Sequence, residues 1–214
     1  MTFKWYERDV SDLLPPDWQE SLLDIARSMG VDRTLHPISV TSREGSDVTE
    51  IAVRAVLGDV LERHAAWFVE LYRGDLRSIV ERCYGEEVFA AKASRVGVTL
   101  NVLASGMRYE CHVDSNPVTG LLFVTSHAKG EGGELVVSES QSATCVDEVN
   151  SHCVLISPCA GRLLIFDGRL YPHYVRPLLV PNGLRVAAVM NFYTSSVGEA
   201  SRPVDLDAHL FGSQ

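Results

Sequence analysis

The sequence of 214 residues lacks any apolar run near the roughly 18 residues that a membrane-spanning helix requires. Its N-terminal residues also lack the apolar core of a secretory signal peptide. From these two absences we expect no membrane partner and a cytoplasmic location.

Cysteines spaced for a recognisable framework are missing as well. The chain has five cysteines, an odd number, and none are spaced as Cys-x-x-Cys. Reduced thiols are the simplest interpretation, which agrees with a cytoplasmic protein. A zinc site formed by Cys145, His152, Cys153 and Cys159 is an alternative, but its spacing matches no zinc finger or zinc ribbon.

Positive charge is scarce, since 19 Lys and Arg residues stand against 28 Asp and Glu residues for a net charge of −9. Non-specific nucleic-acid binding depends on neutralising phosphates, so this balance argues against a nucleic-acid partner. Residues 151–194 are the exception, because they carry four arginines and one aspartate. This local excess favours a small anionic ligand, although four solvated surface arginines would give the same pattern.

The length suits one domain with a sizeable core, and the chain contains no internal repeat, low-complexity run or linker. We therefore predict a single domain over residues 1–214, in which residues 1–94 form a helical support region. Capping residues and apolar stripes indicate three helices there, over residues 17–30, 47–74 and 75–85, and a short strand could lie at 36–41.

Residues 95–194 differ in character and are predicted to form the β core. Short segments rich in β-branched and aromatic residues alternate there with Gly, Pro, Asn and Ser. These segments are residues 95–104, 119–126, 134–138, 153–156, 162–166 and 185–194. Many short strands without intervening helices favour an antiparallel sandwich or barrel, with the N-terminal helices supporting one face.

The stretch from Arg108 to Asp114 holds His112 and Asp114, two residues apart. On a strand this spacing places both side chains on one face. His173, far downstream, is the third candidate ligand. Two imidazoles and one carboxylate form the facial triad of non-heme Fe(II) oxygenases, which leaves positions open on the metal. The pair alone is weak, since chance supplies about 0.4 His-x-Asp pairs in a chain of this composition.

Five motifs that follow one another along the chain strengthen the interpretation of His112 and Asp114 as metal ligands. They are Gly106-x-x-Tyr109-x-x-His112-x-Asp114, Gly132-Gly133-Glu134-Leu135, Gly161-x-Leu163-x-x-Phe166, His173-x-Val175-x-Pro177 and Gly183-x-Arg185. In this order they resemble the Fe(II)/2-oxoglutarate-dependent dioxygenases, in particular the prolyl-4-hydroxylase-like branch. The resemblance covers residues 96–193, and the first ninety residues resemble nothing we can name.

The resemblance implies a double-stranded β-helix, or cupin-like jelly-roll, with the metal at its open mouth. His112, Asp114 and His173 would bind Fe(II) and act as the catalytic centre. The cosubstrates would be 2-oxoglutarate and O2, with ascorbate as a stimulant.

Arg185 would pair with the distal carboxylate of 2-oxoglutarate, because a buried carboxylate suits the planar fork of an arginine. Arg176 is a rival, since the spacing from His173 to Arg185 is slightly longer than in the branch that the chain resembles. Tyr109 would line the same pocket, although an ordinary core tyrosine would have the same sequence context.

The expected reaction is hydroxylation of an unactivated C–H bond. Related halogenases lack the carboxylate that Asp114 supplies, so its presence favours oxygen insertion, while desaturation and ring closure stay open. We predict a free amino acid or amino-acid-like metabolite as substrate, with Arg169 binding its carboxylate, although Arg169 could also be a surface residue. Residues 139–152 form a long polar loop that could close over the mouth.

Two other functions stay open from the sequence. Fold analogy suggests a prolyl hydroxylase that acts on a protein or peptide. A non-catalytic jelly-roll metal-binding module is the third possibility, but it would have no need of Arg185 in its Gly-x-Arg context.

Overall fold

The computed structural model describes residues 5–37 and 39–203. Within these residues, every pair of neighbouring strands is antiparallel. The strands are β1 (Trp5–Asp9), β2 (Val31–Leu35), β3 (Ile51–Val56), β4 (Val88–Ala90), β5 (Val98–Ala104), β6 (Tyr109–His112), β7 (Val118–Phe123), β8 (Leu135–Ser138), β9 (Cys153–Ile156), β10 (Arg162–Phe166), β11 (His173–Val175) and β12 (Leu184–Thr194). The α-helices are α1 (Trp18–Met29), α2 (Gly58–His64), α3 (Ala66–Leu71), α4 (Arg77–Tyr84), α5 (Ser94–Gly97) and α6 (Val146–Ser151).

The strands form two sheets. The large sheet has the order β1-β10-β7-β12-β5-β3-β2, and β4 pairs with the end of β12. The small sheet has the order β6-β11-β8-β9. From β5 to β12 the chain passes back and forth between the two sheets, which is the winding of a jelly-roll. The predicted mainly β architecture is confirmed.

Apolar residues fill a layer on each face of the large sheet. Side chains alternate along a strand, so Val186 and Ala188 of β12 point to one face and Ala187 to the other. The first face packs against α1 to α4, which support the sheet as predicted. The second face packs against the small sheet and contains the cavity described below. Within the described ranges, no helix is both long and apolar enough to cross a membrane.

The prediction that residues 1–94 are helical is only partly correct. The helix predicted over residues 17–30 is α1, with Asp17 as its N-cap and Gly30 just after it. However, β1, β2, β3 and β4 also lie in this region, and they extend the large sheet on both sides. No strand forms in the described residues of the range 36–41, and Ile38 lies outside the described residues.

The helix predicted over residues 47–74 is wrong at its start. Ile51, Val53 and Val56 are buried because they lie in β3, which pairs with β5. Ile51 and Val53 are two residues apart, which is the spacing of a strand, whereas the apolar stripe that predicts the helix begins only at Val56. The predicted break near Gly74 is also wrong, because α3 continues through a π-helical turn into α4. The stop at Gly85 is confirmed, with a left-handed φ of 83°.

Candidate metal centre and cavity

The candidate metal centre lies where β6 and β11 pair at one edge of the small sheet. His112, the last residue of β6, is directly opposite His173, the first residue of β11. The chain leaves the strand after His112, and the Asp114 amide donates a hydrogen bond to the Gly168 carbonyl at 2.9 Å. Two strand ends and one adjoining turn therefore bring three distant side chains together.

These three side chains form a compact donor set. The His112 Nε2 atom lies 3.3 Å from Asp114 Oδ1, and the His173 Nε2 atom lies 3.7 Å from Asp114 Oδ2. One ligand atom from each residue falls within 4.8 Å of the others, and no other group of three potential ligands does so in the described parts of the chain. The zinc site considered for Cys145, His152, Cys153 and Cys159 is therefore not formed.

Backbone carbonyls fix the tautomer of both imidazoles. The Nδ1 atom of His112 lies 2.8 Å from the Glu110 carbonyl oxygen, and that of His173 lies 2.9 Å from the Tyr171 carbonyl oxygen. A carbonyl only accepts, so Nδ1 carries the hydrogen in each ring. The lone pair of each neutral imidazole is then on Nε2, which faces Asp114 and is available to a metal.

Asp114 is held by hydrogen bonds and by close packing. The Thr119 hydroxyl donates to Asp114 Oδ2 and accepts a hydrogen bond from the Asn116 amide at 2.9 Å. A Cβ atom on Gly168 would lie 1.9 Å from Asp114 Oδ2, so this contact requires glycine. Thr119 and Asn116 were not predicted from the sequence, although a polar residue inside the buried strand β7 was a usable signal.

The electrostatics of the metal-free site suit a cation. Burial alone would raise the pKa of the Asp114 carboxyl, but the two imidazoles and Thr119 together hold it below its ordinary value. Burial alone would lower the pKa of His112, but Asp114 raises it to about 9. Burial lowers the pKa of His173 to about 4. Near neutral pH, one proton on His112 therefore occupies the place that a divalent metal could take.

A cavity of about 130 Å³ adjoins the three ligands and extends to Arg185. Arg185 is 1% exposed, and its Nε atom donates to the Gly133 carbonyl at 2.8 Å. Its Nη2 atom is buried and has no hydrogen-bond partner among the described residues. Burial lowers the pKa of Arg185 to about 10, which leaves it charged near neutral pH. A buried cation with an unpaired donor suits a carboxylate ligand.

Sequence and structure comparisons identify the group of proteins to which this site belongs. Residues 98–193 match the model of the 2OG-Fe(II) oxygenase superfamily. This part of the chain belongs to that superfamily. The donor set and the buried arginine fit the Fe(II) ion and the 2-oxoglutarate after which the superfamily is named, so the predicted enzyme class and cofactors are confirmed. A search of curated protein sequences found no match.

Solved structures of other oxygenases share the fold. A 2OG-Fe(II) oxygenase family oxidoreductase from Burkholderia pseudomallei superposes with a TM-score of 0.64 at 12% identity, over 94% of this chain and 89% of that one. A prolyl hydroxylase from Trichoplax adhaerens, in complex with a peptide of hypoxia inducible factor, gives 0.61 at 17% identity over the same shares. The carbocyclase SnoK from nogalamycin biosynthesis gives 0.59 at 13% identity, over 99% of this chain and 87% of that one. At these identities, the likeness extends to the fold alone.

The oxygenase fold also brings Tyr109 to the cavity, as predicted. Its ring centroid lies 5.6 Å from that of His112, and it has a side-chain hydrogen bond with Asn101. Burial keeps the pKa of the Tyr109 phenol above its ordinary value, so its hydroxyl stays protonated. Asn101 was not predicted from the sequence either, although it gives the same signal as Thr119, a polar residue within an apolar strand, here β5.

Other residues considered from the sequence lie away from the cavity of this oxygenase. Arg169 is exposed and does not line it, and neither does Arg176, the rival of Arg185. The loop over residues 139–152 contains α6 and does not line the cavity either. Its Gln141 side chain donates a hydrogen bond to the Tyr171 hydroxyl at 3.1 Å, so it is anchored beside the site.

Proposed function

We propose that this chain hydroxylates an unactivated C–H bond of a small amino-acid-like molecule, with 2-oxoglutarate converted to succinate. The observation that supports this most strongly is one cavity bounded by the His112, Asp114 and His173 cluster and by the buried, partly unpaired Arg185. Fe(II) and 2-oxoglutarate, when bound, supply the oxidising chemistry that uses O2 to replace the hydrogen by a hydroxyl group.

His112, Asp114 and His173 would hold the iron. Their Nε2 atoms and carboxylate converge from one side, so the remaining positions on the metal are left for the 2-oxo acid and O2. The Glu110 and Tyr171 carbonyls keep both imidazoles in the tautomer that binds a metal.

Arg185 would bind the distal carboxylate of 2-oxoglutarate, and Tyr109 would be a second donor at the same cavity. With Nε bonded to the Gly133 carbonyl, the buried Nη2 donor of Arg185 is left without a partner and could pair with the ligand carboxylate. The charge-assisted pair would lie in a buried site, where a carboxylate offsets the cost of the isolated guanidinium.

Apolar side chains on the cavity wall would exclude water from the reacting groups. They come from both sheets and are Leu121, Leu135, Phe166, Val175 and Val189. Arg33, Thr41 and Arg202 close further sides. Walls from so many segments favour a pocket for a small molecule over an open groove for a peptide, which peptide hydroxylation would need.

The experiment uses protein purified without oxygen and then supplied with Fe(II), ascorbate, O2 and 2-oxoglutarate. Succinate would be measured with pools of free amino acids and, separately, with proline-containing peptides. We expect succinate to rise with the amino acids. His112→Ala should abolish turnover, while His64→Ala, an exposed histidine on α2, should not. A metal-binding module would give neither succinate nor 2-oxoglutarate binding, and that result would refute an enzymatic function.

A further inference from the structure

The cavity wall on the large sheet changes character along strand β12. Arg185 and Asn191 both line the cavity. They lie six positions apart on this strand, so their side chains point to the same face, about 20 Å apart along it. The Arg185 end is otherwise apolar, because Leu103 lies opposite Arg185 and the guanidinium carbon lies 5.7 Å from the centroid of the Phe123 ring.

Uncharged polar side chains gather at the Asn191 end instead. Thr119 on β7 lies directly opposite Asn191, and its hydroxyl donates to Asp114. The metal ligands and Asn191 are therefore at the same end of this face. Thr99 on β5 lies opposite Val189, so it is the diagonal neighbour of Asn191 on the same face. Thr99 and Asn191 are both half-buried and line the cavity.

The amide of Asn191 has a fixed orientation. Its Nδ2 atom donates to the Val96 carbonyl at 2.7 Å, and a carbonyl only accepts, so the nitrogen must face Val96. The backbone carbonyl of Asn191 accepts the Tyr72 hydroxyl at 2.7 Å, which anchors this part of β12 to the helices. Within residues 5–37 and 39–203, no group pairs with the Asn191 Oδ1 atom or with the Thr99 hydroxyl. Two oriented polar groups are therefore left for a ligand in the cavity.

The chemistry of these two groups selects the ligand. An amide oxygen only accepts hydrogen bonds, so Asn191 Oδ1 cannot pair with a carboxylate but can pair with an N–H group. The Thr99 hydroxyl can accept a second hydrogen bond from the same nitrogen. Diagonal neighbours in a sheet are about 7–8 Å apart, a span that one amino group between two side chains can bridge.

We propose that Asn191 and Thr99 bind the amino group of the substrate, so that the enzyme selects amino compounds over their des-amino counterparts. This inference rests on the proposed function and names the group that gives it specificity. It places the amino group beside the metal ligands, at the end of the cavity away from Arg185. A site built to hydrogen-bond an N–H group discriminates strongly against an analogue that lacks it, because its polar groups are then left unpaired.

Binding is tested on the full chain loaded with Mn(II), a redox-inactive stand-in for Fe(II), and with saturating 2-oxoglutarate. The melting temperature would be measured with free amino acids, with the des-amino acids that carry the same side chains, and with the corresponding hydroxy acids. We expect stabilisation by one or more amino acids, and binding at least about tenfold weaker for the des-amino counterpart. Equal stabilisation by the des-amino acid, or none by any amino acid, would overturn the inference, and a preference for the hydroxy acid would overturn the amino assignment.

Two variants separate recognition from structure. Thr99→Val keeps the shape of the side chain without its hydroxyl, and Asn191→Leu removes the Oδ1 acceptor. Each should weaken binding of the best amino acid by about tenfold and leave binding of its des-amino counterpart within about twofold. A merely structural change would weaken both ligands alike. Thr34→Val is the matched control, because Thr34 is exposed on β2 and does not line the cavity. If Thr99→Val and Asn191→Leu keep the preference seen in this control, these residues do not form the site.

A separate measurement distinguishes this inference from the proposed function. Binding of 2-oxoglutarate to the Mn(II) protein should be unchanged in Thr99→Val within about twofold, since Arg185 is intact. With the amino-acid substrate, the same variant should raise KM by about tenfold with little change in kcat. Absence of 2-oxoglutarate binding in the unmodified protein would refute the proposed function itself. Turnover of an amino acid with an unchanged KM in both variants would refute only this inference.

Discussion

Arg108, directly before β6, donates two hydrogen bonds to the carboxylate of Glu44, at 2.6 and 3.0 Å. Glu44 belongs to a segment that lies along the outer edge of β6. Glu44 is almost fully buried, with a 2% exposed side chain, and its Oε1 atom also accepts the Cys111 amide at 2.6 Å. The ion pair therefore joins the loop before β3 to the strand that ends in His112.

Backbone hydrogen bonds continue this junction to the candidate metal ligands. The Arg43 amide donates to the Cys111 carbonyl at 2.7 Å, and the Val113 amide donates to the Thr41 carbonyl at 2.9 Å. Ser42 forms a bridge with His112 itself. The segment covers the free edge of β6 and restrains the turn from His112 to Asp114.

The first prediction is that Glu44→Gln destabilises the fold and weakens metal binding. The amide keeps the size of the side chain but leaves Arg108 half-buried without its anion. We expect a loss of about 1–3 kcal/mol in the free energy of unfolding, at the lower end because Arg108 is 28% exposed. Mn(II) affinity should fall as well, because β6 is less restrained. Urea unfolding and metal titration measure the two effects.

Glu62→Gln is the control for this change, since Glu62 forms an exposed ion pair with Arg73 at 3.0 Å. It should change neither quantity noticeably. Equal effects of the two substitutions would mean that the Glu44 pair does not restrain the metal site.

The sequence identified the candidate metal ligands because their motifs follow one another within the β half of the chain. Predicting these ligands and the arginine required no information from the N-terminal region; the residues are His112, Asp114, His173 and Arg185. The local pattern also predicted α1 and the stop at Gly85 correctly. These features are set by short-range spacing and by the backbone preferences of particular residues.

The remaining parts of the cavity depend on tertiary pairing and could not be predicted. The two-residue spacing of Ile51 and Val53 indicates a strand, but the partners of this strand, β2 and β5, are set by tertiary structure. Arg33 enters the cavity because β2 then pairs with β3. Glu44 is likewise an ordinary loop residue in the sequence until the chain brings Arg108 to it. Residue pairs far apart in the chain carry no local signal.

A second prediction concerns the two rival arginines. Arg185→Met should weaken 2-oxoglutarate binding by about a hundredfold or more, because a buried carboxylate would lose its cation. Metal binding should persist, because Arg185 is not one of the three ligands in the donor set. Arg176→Met should leave 2-oxoglutarate affinity unchanged, as Arg176 does not line the cavity. Calorimetric titration of 2-oxoglutarate into the Mn(II) protein tests both, and the reverse result would assign the role to Arg176.

A third prediction is that metal affinity rises with pH. Asp114 raises the pKa of His112 to about 9, so the metal-free protein holds a proton on His112 that a metal must displace. Burial lowers the pKa of His173 to about 4, so His173 is already neutral above pH 5. Affinity should therefore increase by about tenfold per pH unit between pH 6 and pH 8, with one proton released per metal bound.

The same shifts set the sign of the pH effect on stability. The raised pKa of His112 contributes stability to the metal-free fold below the ordinary imidazole value, and this contribution is lost as pH rises through about 9.

Metal titration in two buffers with different ionisation enthalpies counts the protons that metal binding releases. A pH-independent affinity would show that His112 is already neutral in the metal-free site.

The last prediction uses the contact between Gly168 and Asp114. Gly168→Ala adds a Cβ atom that would lie 1.9 Å from Asp114 Oδ2 and 3.0 Å from Thr119 Oγ1, so the carboxylate or the backbone must move. Asp114 would then leave the position in which it faces both imidazoles, and we expect Mn(II) affinity to fall by about tenfold to a hundredfold. Gly74→Ala is the matched control, because a Cβ atom there meets nothing within 4 Å and the residue lies in the π-helical turn between α3 and α4. That control should keep full metal affinity and unfold at a similar or higher temperature. If Gly168→Ala bound metal as tightly as Gly74→Ala, the position of Asp114 would not depend on the missing side chain at residue 168.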